Sequence, residues 1–530
     1  MTLNRKIILY DSTLRDGAQT SYVDFTPQNK IDIAKKLDFL GIDYIEAGWP
    51  GANPKDTEFF NQLPLLDHAK FAAFGMTVKK GNDPKDDNGL ANLLSSNLAN
   101  YTIVGKVWDF HVTDALGIRL EDNLKIIYDT ITYLVSQGKQ VIFDAEHFFD
   151  GYKANPEYSM EVIKAAHRAG SRWVALCDTN GGSLPHEISK IVGKVTKEIE
   201  ADALSIHCHN DTGCAVANTL AAVRAGISHI QGTINGLGER CGNADLTTLI
   251  PILSLKLDYD ISVDRDRLRS LKHVSNYLYD IINQKSDSYA PFIGDAAFNH
   301  KGGLHASAML KDTTSYEHIK PELVGNKRSI LISDQAGKAS IISRLKDFKI
   351  DVDKNDHKLP QLIEEIKVLE SEGFSYDLAD ASFYLLAVKY FKSVPTFFKL
   401  DSFKIIDEKR TNAKGKIITS SEAILKLEVF NKRVISVTEG NGPVNALDKA
   451  LRKTLVTYYP NISNTKLTDY KVRILNSGSA TEAMIRVMLE TSDNEGNRWT
   501  TIGVSTDLLD ASYQAIRDSM NYYLIISAIS

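Results

Sequence analysis

The first 240 residues alternate short apolar or β-branched runs with longer segments of helical period, the pattern of parallel strands joined by crossover helices. Eight runs read as strands: Ile7–Leu14, Tyr44–Trp49, Lys70–Gly75, Tyr101–Lys106, Gln140–His147, Trp173–Thr179, Leu204–Asn210 and His229–Asn235. Between them the period predicts helices over Pro27–Leu40, Leu120–Ser136, Pro156–Ala169 and Gly213–Ala225. Gly41, Gly170 and Gly226 stand just past helix ends, where glycine permits the left-handed turn into the next strand. Eight strand-helix units predict a closed (β/α)8 barrel over residues 1–265.

Beyond residue 265 the pattern breaks into helices with polar connections, and Asp351 to Lys358 reads as an exposed linker inside a helical connector, 266–400. From residue 401 to 530 strands return with two helices, predicting an α+β domain with an internal duplication. Glu422-Ala-Ile-Leu-Lys-Leu-Glu-Val429 resembles Glu482-Ala-Met-Ile-Arg-Val-Met-Leu489, and each is expected to precede a glycine-led helix, from Gly440 and from Gly503. Such a two-lobed unit suggests a ligand-binding or dimerising module.

Composition narrows the partners. With 62 Lys+Arg against 67 Asp+Glu, the net charge of -5 over 530 residues offers no electrostatic drive toward nucleic acid or anionic lipid. The N-terminal apolar run, Ile7 to Tyr10, is too short for a secretory signal, and no run approaches a membrane span. A cytoplasmic protein is expected. Cys177, Cys208, Cys214 and Cys241 form no Cys-x-x-Cys pair and read as buried free thiols.

In a barrel the chemistry lies at the C-terminal ends of the strands, and seven of the eight runs end in polar or titratable groups. The first leads into Asp11-Ser-Thr-Leu-Arg-Asp-Gly-Ala-Gln19. The others bring Glu46, then Asp109 and His111, Asp144 and Glu146, Asp178 and Thr179, His207 and His209, and finally Glu239 and Asn243. His207 and His209 alternate with Cys208, so both imidazoles face the interior. With a carboxylate from the first strand, Asp16 or alternatively Asp11, they make a two-His-one-carboxylate site for Mn2+, Mg2+ or Zn2+. Arg15 is either an ion-pair partner of Asp16 or the group that stabilises an oxyanion beside the metal. Glu146 is a candidate for proton transfer, and Thr179 offers a hydroxyl to a substrate carboxylate. Trp49, Trp108, Phe110 and Phe148 are candidates to narrow the pocket. Gly236, Gly238 and Gly242 miss the dinucleotide fingerprint by one residue. A histidine-bearing segment, Phe298-Asn-His-Lys-Gly-Gly-Leu-His-Ala306, follows the barrel and suits an active-site cover.

Asp11-Ser-Thr-Leu-Arg-Asp-Gly-Ala-Gln19, His207-Cys-His209 and Gly236-Leu-Gly-Glu-Arg-Cys-Gly-Asn243 together resemble the DRE-TIM metallolyase superfamily. With the two-lobed C-terminal unit, the chain is similar to its Claisen-condensing branch of 2-isopropylmalate, homocitrate and citramalate synthases. Glu46 to Pro54, Val107 to Val112, Phe143 to Tyr152 and Phe298 to His305 are most similar to the citramalate group. The resemblance implies a metal held by Asp16, His207 and His209 with Asn243 at or near it. It implies that Arg15 polarises the keto oxygen, that Thr179 binds the keto-acid carboxylate, and that Glu146 and His305, or else His300, move protons. Asp144, His111 and Glu46 are further candidates for substrate contact. The implied activity is an acyl transfer joining acetyl-CoA to pyruvate and then hydrolysing the thioester. Isoleucine is implied as effector at the C-terminal domain of a homodimer. The tyrosine that isopropylmalate members carry in the stretch matching Val324–Ser329 is missing, so its role does not transfer. The alternatives are a 2-isopropylmalate or homocitrate synthase, a lyase of the same superfamily, or a non-catalytic amino-acid sensor.

Overall fold

The computed structural model describes residues 5–282, 284, 286–300, 316–330, 338–376, 379–411, 415, 417–475 and 483–529. The expected parallel strands are present as β1 (Lys6–Asp11), β2 (Tyr44–Gly48), β3 (Lys70–Met76), β4 (Asn100–Lys106), β5 (Gln140–Glu146), β6 (Trp173–Asp178), β7 (Leu204–Cys208) and β8 (His229–Gly232). Each pairs in parallel with the next, and β1 pairs with both β8 and β2, which closes the cylinder. A short strand, β9 (Asp260–Ile261), adds to the outer start of β1.

Local chemistry explains the connections. Helix Pro27–Leu40 begins at a capping box in which Thr26 and Asn29 satisfy each other's backbone donors, and it ends at Gly41 with φ 98°. Gly170 and Gly226 have φ values of 100° and 122°, as their positions past helix ends predict. Strand alternation then sorts the side chains. Ile7, Leu9, Ile45, Ala47, Tyr101, Ile103 and Ile206 face the surrounding helices in one large core. The inward residues Tyr10, Tyr44, Ala72, Ile142 and Trp173 fill the cylinder in a separate cluster. The barrel is a filled core, so a site can form only above that fill.

His229 belongs to this fill. Its ring stacks on Trp173 at 4.2 Å and its Nδ1 meets Ser205 Oγ at 2.7 Å. Cys177 and Cys208 are buried as expected, but Cys214 is only half-buried and Cys241 is exposed, because both sit on rim loops rather than strands. The four thiols are unpaired.

The chain divides into two compact units, Met1–Phe298 with His318–Arg328, and Asn299–Glu317 with Ser329–Ser530. In the second unit a two-stranded piece joins β10 (Asn299–His300) to β11 (Ser329–Ile330). Helices Lys358–Ser371 and Asp380–Phe391 share a core with Ile341, Leu345 and Ile525. The duplication is a repeated βββα unit. The first copy is β12 (Lys399–Thr411), β13 (Ile417–Val429), β14 (Lys432–Gly440) and helix Pro443–Val456. The second is β15 (Thr465–Ile474), β16 (Ile485–Asp493), β17 (Arg498–Ser505) and helix Leu508–Ile529. The two similar sequence segments supply the middle strands, and Leu425, Leu427, Val487 and Leu489 enter one core. The glycines do not lead the helices, contrary to expectation. Gly440 ends β14 and Gly503 lies within β17, where a Cβ would strike the backbone of Ala446 and of Ala511, so each lets its helix approach the sheet. Among the described residues no helix is long and apolar enough to cross a membrane.

Burial, with Arg172 adding to it, holds the His229 imidazole down at about 3, so the folded barrel keeps it neutral. Below about pH 6.5 the unfolded chain takes up a proton there that the folded chain refuses, which removes about 1.4 kcal/mol of stability per pH unit. Urea unfolding between pH 5 and 7 is therefore expected to show a shallower loss of stability toward acid in His229→Gln than in the parent. An unchanged slope contradicts a neutral buried His229.

Candidate active site

The loop leaving β1 turns back on Ser12, whose carbonyl accepts from the backbone N–H groups of Arg15, Asp16 and Gly17. Asp11 does not reach the rim centre. Its carboxylate accepts from the Thr13 N–H and hydroxyl, at 2.9 and 2.8 Å, and Thr13 Oγ1 in turn accepts from Ile234 N–H beyond β8. That stitch fastens the first loop to the last. Burial pushes the Asp11 carboxyl up to about 7, against the pull of its bonds to Thr13.

The turn delivers Asp16 to the imidazoles of β7. His207 Nε2 lies 3.3 Å from Asp16 Oδ2 and 3.3 Å from His209 Nε2, and one ligand atom from each residue falls within 4.8 Å of the others. All three are buried. Burial alone would raise the Asp16 carboxyl, but the Arg15 guanidinium and His207 hold it well below the usual carboxylate range. Burial and the neighbouring His207 hold His209 at about 3. Beside them, Asn243 is 2% exposed and its Oδ1 has no hydrogen-bond partner, while its backbone bridges to His209. Three converging nitrogen and oxygen donors plus an orphaned amide oxygen suit a divalent cation with mixed imidazole and oxygen ligation. Among the described residues this is the one such cluster.

Arg15 is held from three sides. Its Nε donates to Glu46 Oε2 at 2.7 Å, its Nη1 is 3.7 Å from Asp16 Oδ2, and its guanidinium lies 4.1 Å over the Phe74 ring. Both readings of this arginine therefore meet in one place, since the ion pair aims the guanidinium at the rim. Glu46 is fully buried, and its second oxygen accepts from Tyr10 OH at 2.8 Å, which in turn is 2.6 Å from Thr102 Oγ1. Glu46 thus positions Arg15 and does not line the cavity.

A cavity of about 250 Å³ is lined by Arg15, Asp16, His207, His209, Asp144, Glu146 and Thr179, with Gln19, Trp49, Phe74, Val104, Cys177 and Glu239 completing its wall. Glu146 is paired with Lys106, one strand back on β4. Thr179 Oγ1 accepts from His147 N–H at 2.8 Å, which leaves the hydroxyl proton free to donate. Burial, with Glu46 adding to it, raises the Asp144 carboxyl to about 6.

Several expected residues lie elsewhere. His111 packs against Trp108 and His147, at 5.0 and 4.6 Å between ring centroids, and is not in the cavity wall. Of the four aromatics expected to narrow the pocket, Trp49 does so. Phe110 is exposed because it precedes a wide helical turn on the surface, and Phe148 is buried among the outer helices. Phe74, which the sequence reading missed, supplies the second ring, 5.6 Å from Trp49. Its inward phase on β3 was the available signal. Asp178 is tied to Ser183. His300 is in the second unit, with Nε2 3.5 Å from Glu317 Oε1. His305 lies outside the described residues.

The chain matches the HMGL-like family over residues 6–274, the homocitrate synthase post-HMGL domain-like family over 292–373, and the LeuA allosteric (dimerisation) domain over 377–524. It is 46% identical over 522 residues to the (R)-citramalate synthase of Aquifex aeolicus (strain VF5), covering 98% of both chains. It is also 46% identical over 518 residues to that of Geobacter sulfurreducens, covering 97% of both. The chain belongs to the (R)-citramalate synthase family. The 2-isopropylmalate synthase of Methanocaldococcus jannaschii stands further off, 32% identical over 522 residues, 98% of this chain and 95% of that one. Enzymes of the citramalate synthase family are acetyl-CoA-dependent condensing acyltransferases, and this chain is one of that class.

Asp16 and Asp11 are distinguishable by metal titration. Asp16→Asn and His209→Ala are expected to weaken Mn2+ binding in calorimetry by more than the roughly 100-fold that groups outside the ligand set carry. Asp11→Asn should leave the affinity essentially unchanged. Separately, Glu46→Gln strips the charge that compensates Arg15, and is expected to cost about 3 kcal/mol in urea unfolding.

Proposed function

We propose that this rim joins acetyl-CoA to pyruvate, giving (R)-citramalate and CoA. The observation that carries the reading is the convergence of Asp16, His207 and His209 with Arg15 on one small cavity that also presents a carboxylate and a hydroxyl. Asp16, His207 and His209, with Asn243 beside them, would hold a divalent cation, Mn2+, Mg2+ or Zn2+. A bound cation supplies positive charge where the keto oxygen becomes an alkoxide.

The chain's own groups carry the rest. Arg15, fixed by Glu46, aims a permanent positive charge at the same oxygen. Thr179 donates its hydroxyl proton to the pyruvate carboxylate. Glu146, with Lys106 against it, sits across the cavity as the group that takes or returns a proton when the acetyl methyl carbon attacks the keto carbon. His305, or His300 in its place, is the proposed partner in proton transfer, supplied by the segment after the barrel. Water then cleaves the thioester, CoA departs, and the loss of that bond makes the condensation effectively irreversible. Asp144, in the cavity wall, and His111, outside it, are assigned to orienting the substrate.

Trp49, Phe74 and Val104 form the apolar part of the wall and favour a methyl over a branched substituent. The proposed enzyme is a cytoplasmic homodimer, with isoleucine bound by the duplicated domain, 401–530, and its effect carried through the connector, 266–400. The match of residues 377–524 to an allosteric dimerisation domain supports that assignment.

Thiol release with acetyl-CoA and a panel of keto acids tests the reading. Pyruvate is expected to exceed 2-oxoisovalerate, which carries two more carbons, by at least about 10-fold in kcat/KM, since a single methylene of apolar bulk already commands roughly 10- to 200-fold. Equal rates overturn the specificity, and full turnover after exhaustive chelation overturns the metal. Glu146→Gln is expected to lower kcat by about 100-fold or more with little change in the KM for pyruvate.

A further inference from the structure

Gln231 is 1% exposed inside the barrel, on β8, and no part of the proposed chemistry employs it. Its side-chain amide is read at both ends. Oε1 accepts from His207 Nδ1 at 3.0 Å, and Nε2 donates to Asp144 Oδ1, also at 3.0 Å. The three residues come from β7, β8 and β5: the bond to His207 joins neighbouring strands, and the bond to Asp144 crosses the interior.

The two bonds depend on each other. An amide turned the other way would set Oε1 against the Asp144 carboxylate, two acceptors facing with no proton between them, and would offer an N–H to His207 Nδ1. Asp144 therefore selects the orientation in which His207 meets an acceptor. Nδ1, which meets an acceptor, therefore carries a hydrogen, and Nε2 is the nitrogen left to face Asp16 and, when one is bound, the cation. That Nε2 is the atom directed at Asp16 and at His209.

We infer that Gln231 is a positioning residue for the metal ligand His207: held by Asp144, it sets the ring's tautomer and rotation so that Nε2 faces the cation. The inference rests on the metal site proposed above. It predicts that a side chain of the same shape without hydrogen-bonding atoms damages metal binding, and that an acceptor put back at that place repairs it.

Mn2+ titration of the metal-stripped full chain by calorimetry, alongside melting of the metal-free protein, tests it. Gln231→Met keeps the length and loses both bonds, and is expected to weaken Mn2+ binding by roughly 10- to 100-fold. Gln231→Glu keeps an oxygen for His207 Nδ1–H, shares a proton with Asp144 at its other end, and should recover most of that loss. Affinity should follow this order even where melting temperature does not. Parental affinity in Gln231→Met overturns the inference, as does equal weakness in Met and Glu variants, which would make the residue a packing element. Should Gln231→Met fail to fold, Gln231→Asn, too short to span both partners, is judged by the same criterion. A parent that binds no Mn2+ defeats the metal reading itself, whereas tight binding by the parent and by Gln231→Met alike defeats only the role of Gln231.

Discussion

A buried carboxylate that must find positive charge organises this molecule's functional end. Asp16 is 2% exposed, and an ionised group so placed is stable only when opposite charge and hydrogen bonds compensate it. Arg15 and His207 do so, and both are themselves anchored, Arg15 by Glu46 and His207 by Gln231. The outcome is a chain of contacts from Thr102 through Tyr10, Glu46, Arg15, Asp16, His207 and Gln231 to Asp144. It draws on β4, β1, β2, β7, β8 and β5. Loss of any link leaves a buried polar group without its partner, so the network is specified as a whole.

The same network explains why the site sits where it does. The lower interior is filled by Tyr10, Tyr44, Ile142, Trp173 and His229, which leaves no room for ligand. Polar inward positions begin one step further along the strands, with Glu46, Asp144, His207 and Gln231, and a cavity of about 250 Å³ opens above them. Tyr10 belongs to both layers. Its ring packs in the fill while its hydroxyl bonds Glu46, so rim geometry is referred to the rigid part of the barrel.

The second unit solves a different problem with one device used twice. Each three-stranded sheet covers one face with a helix, and a glycine in the last strand, Gly440 or Gly503, removes the Cβ that would hold the helix away. The sequence resemblance between residues 422–429 and 482–489 reports the inward alternation of the two middle strands. The glycines were visible too, but they read as the starts of the helices, and only the packing of helix on sheet reveals their use.

Local rules carried the sequence reading far. Alternation and helical period located eight strands and four of the helices between them to within a few residues, since each barrel strand is buried on both sides and each of those helices starts and stops on short-range chemistry. His207 and His209 were legible as a pair because strand alternation needs no tertiary knowledge. The competition between Asp11 and Asp16 was not, since it depends on Thr13 reaching Ile234 across the closed seam. Nor could Tyr10 or Gln231 be singled out among ordinary apolar and polar strand residues. Their roles arise from partners on other strands, and only the closure of the cylinder, with its register, decides which inward side chains meet.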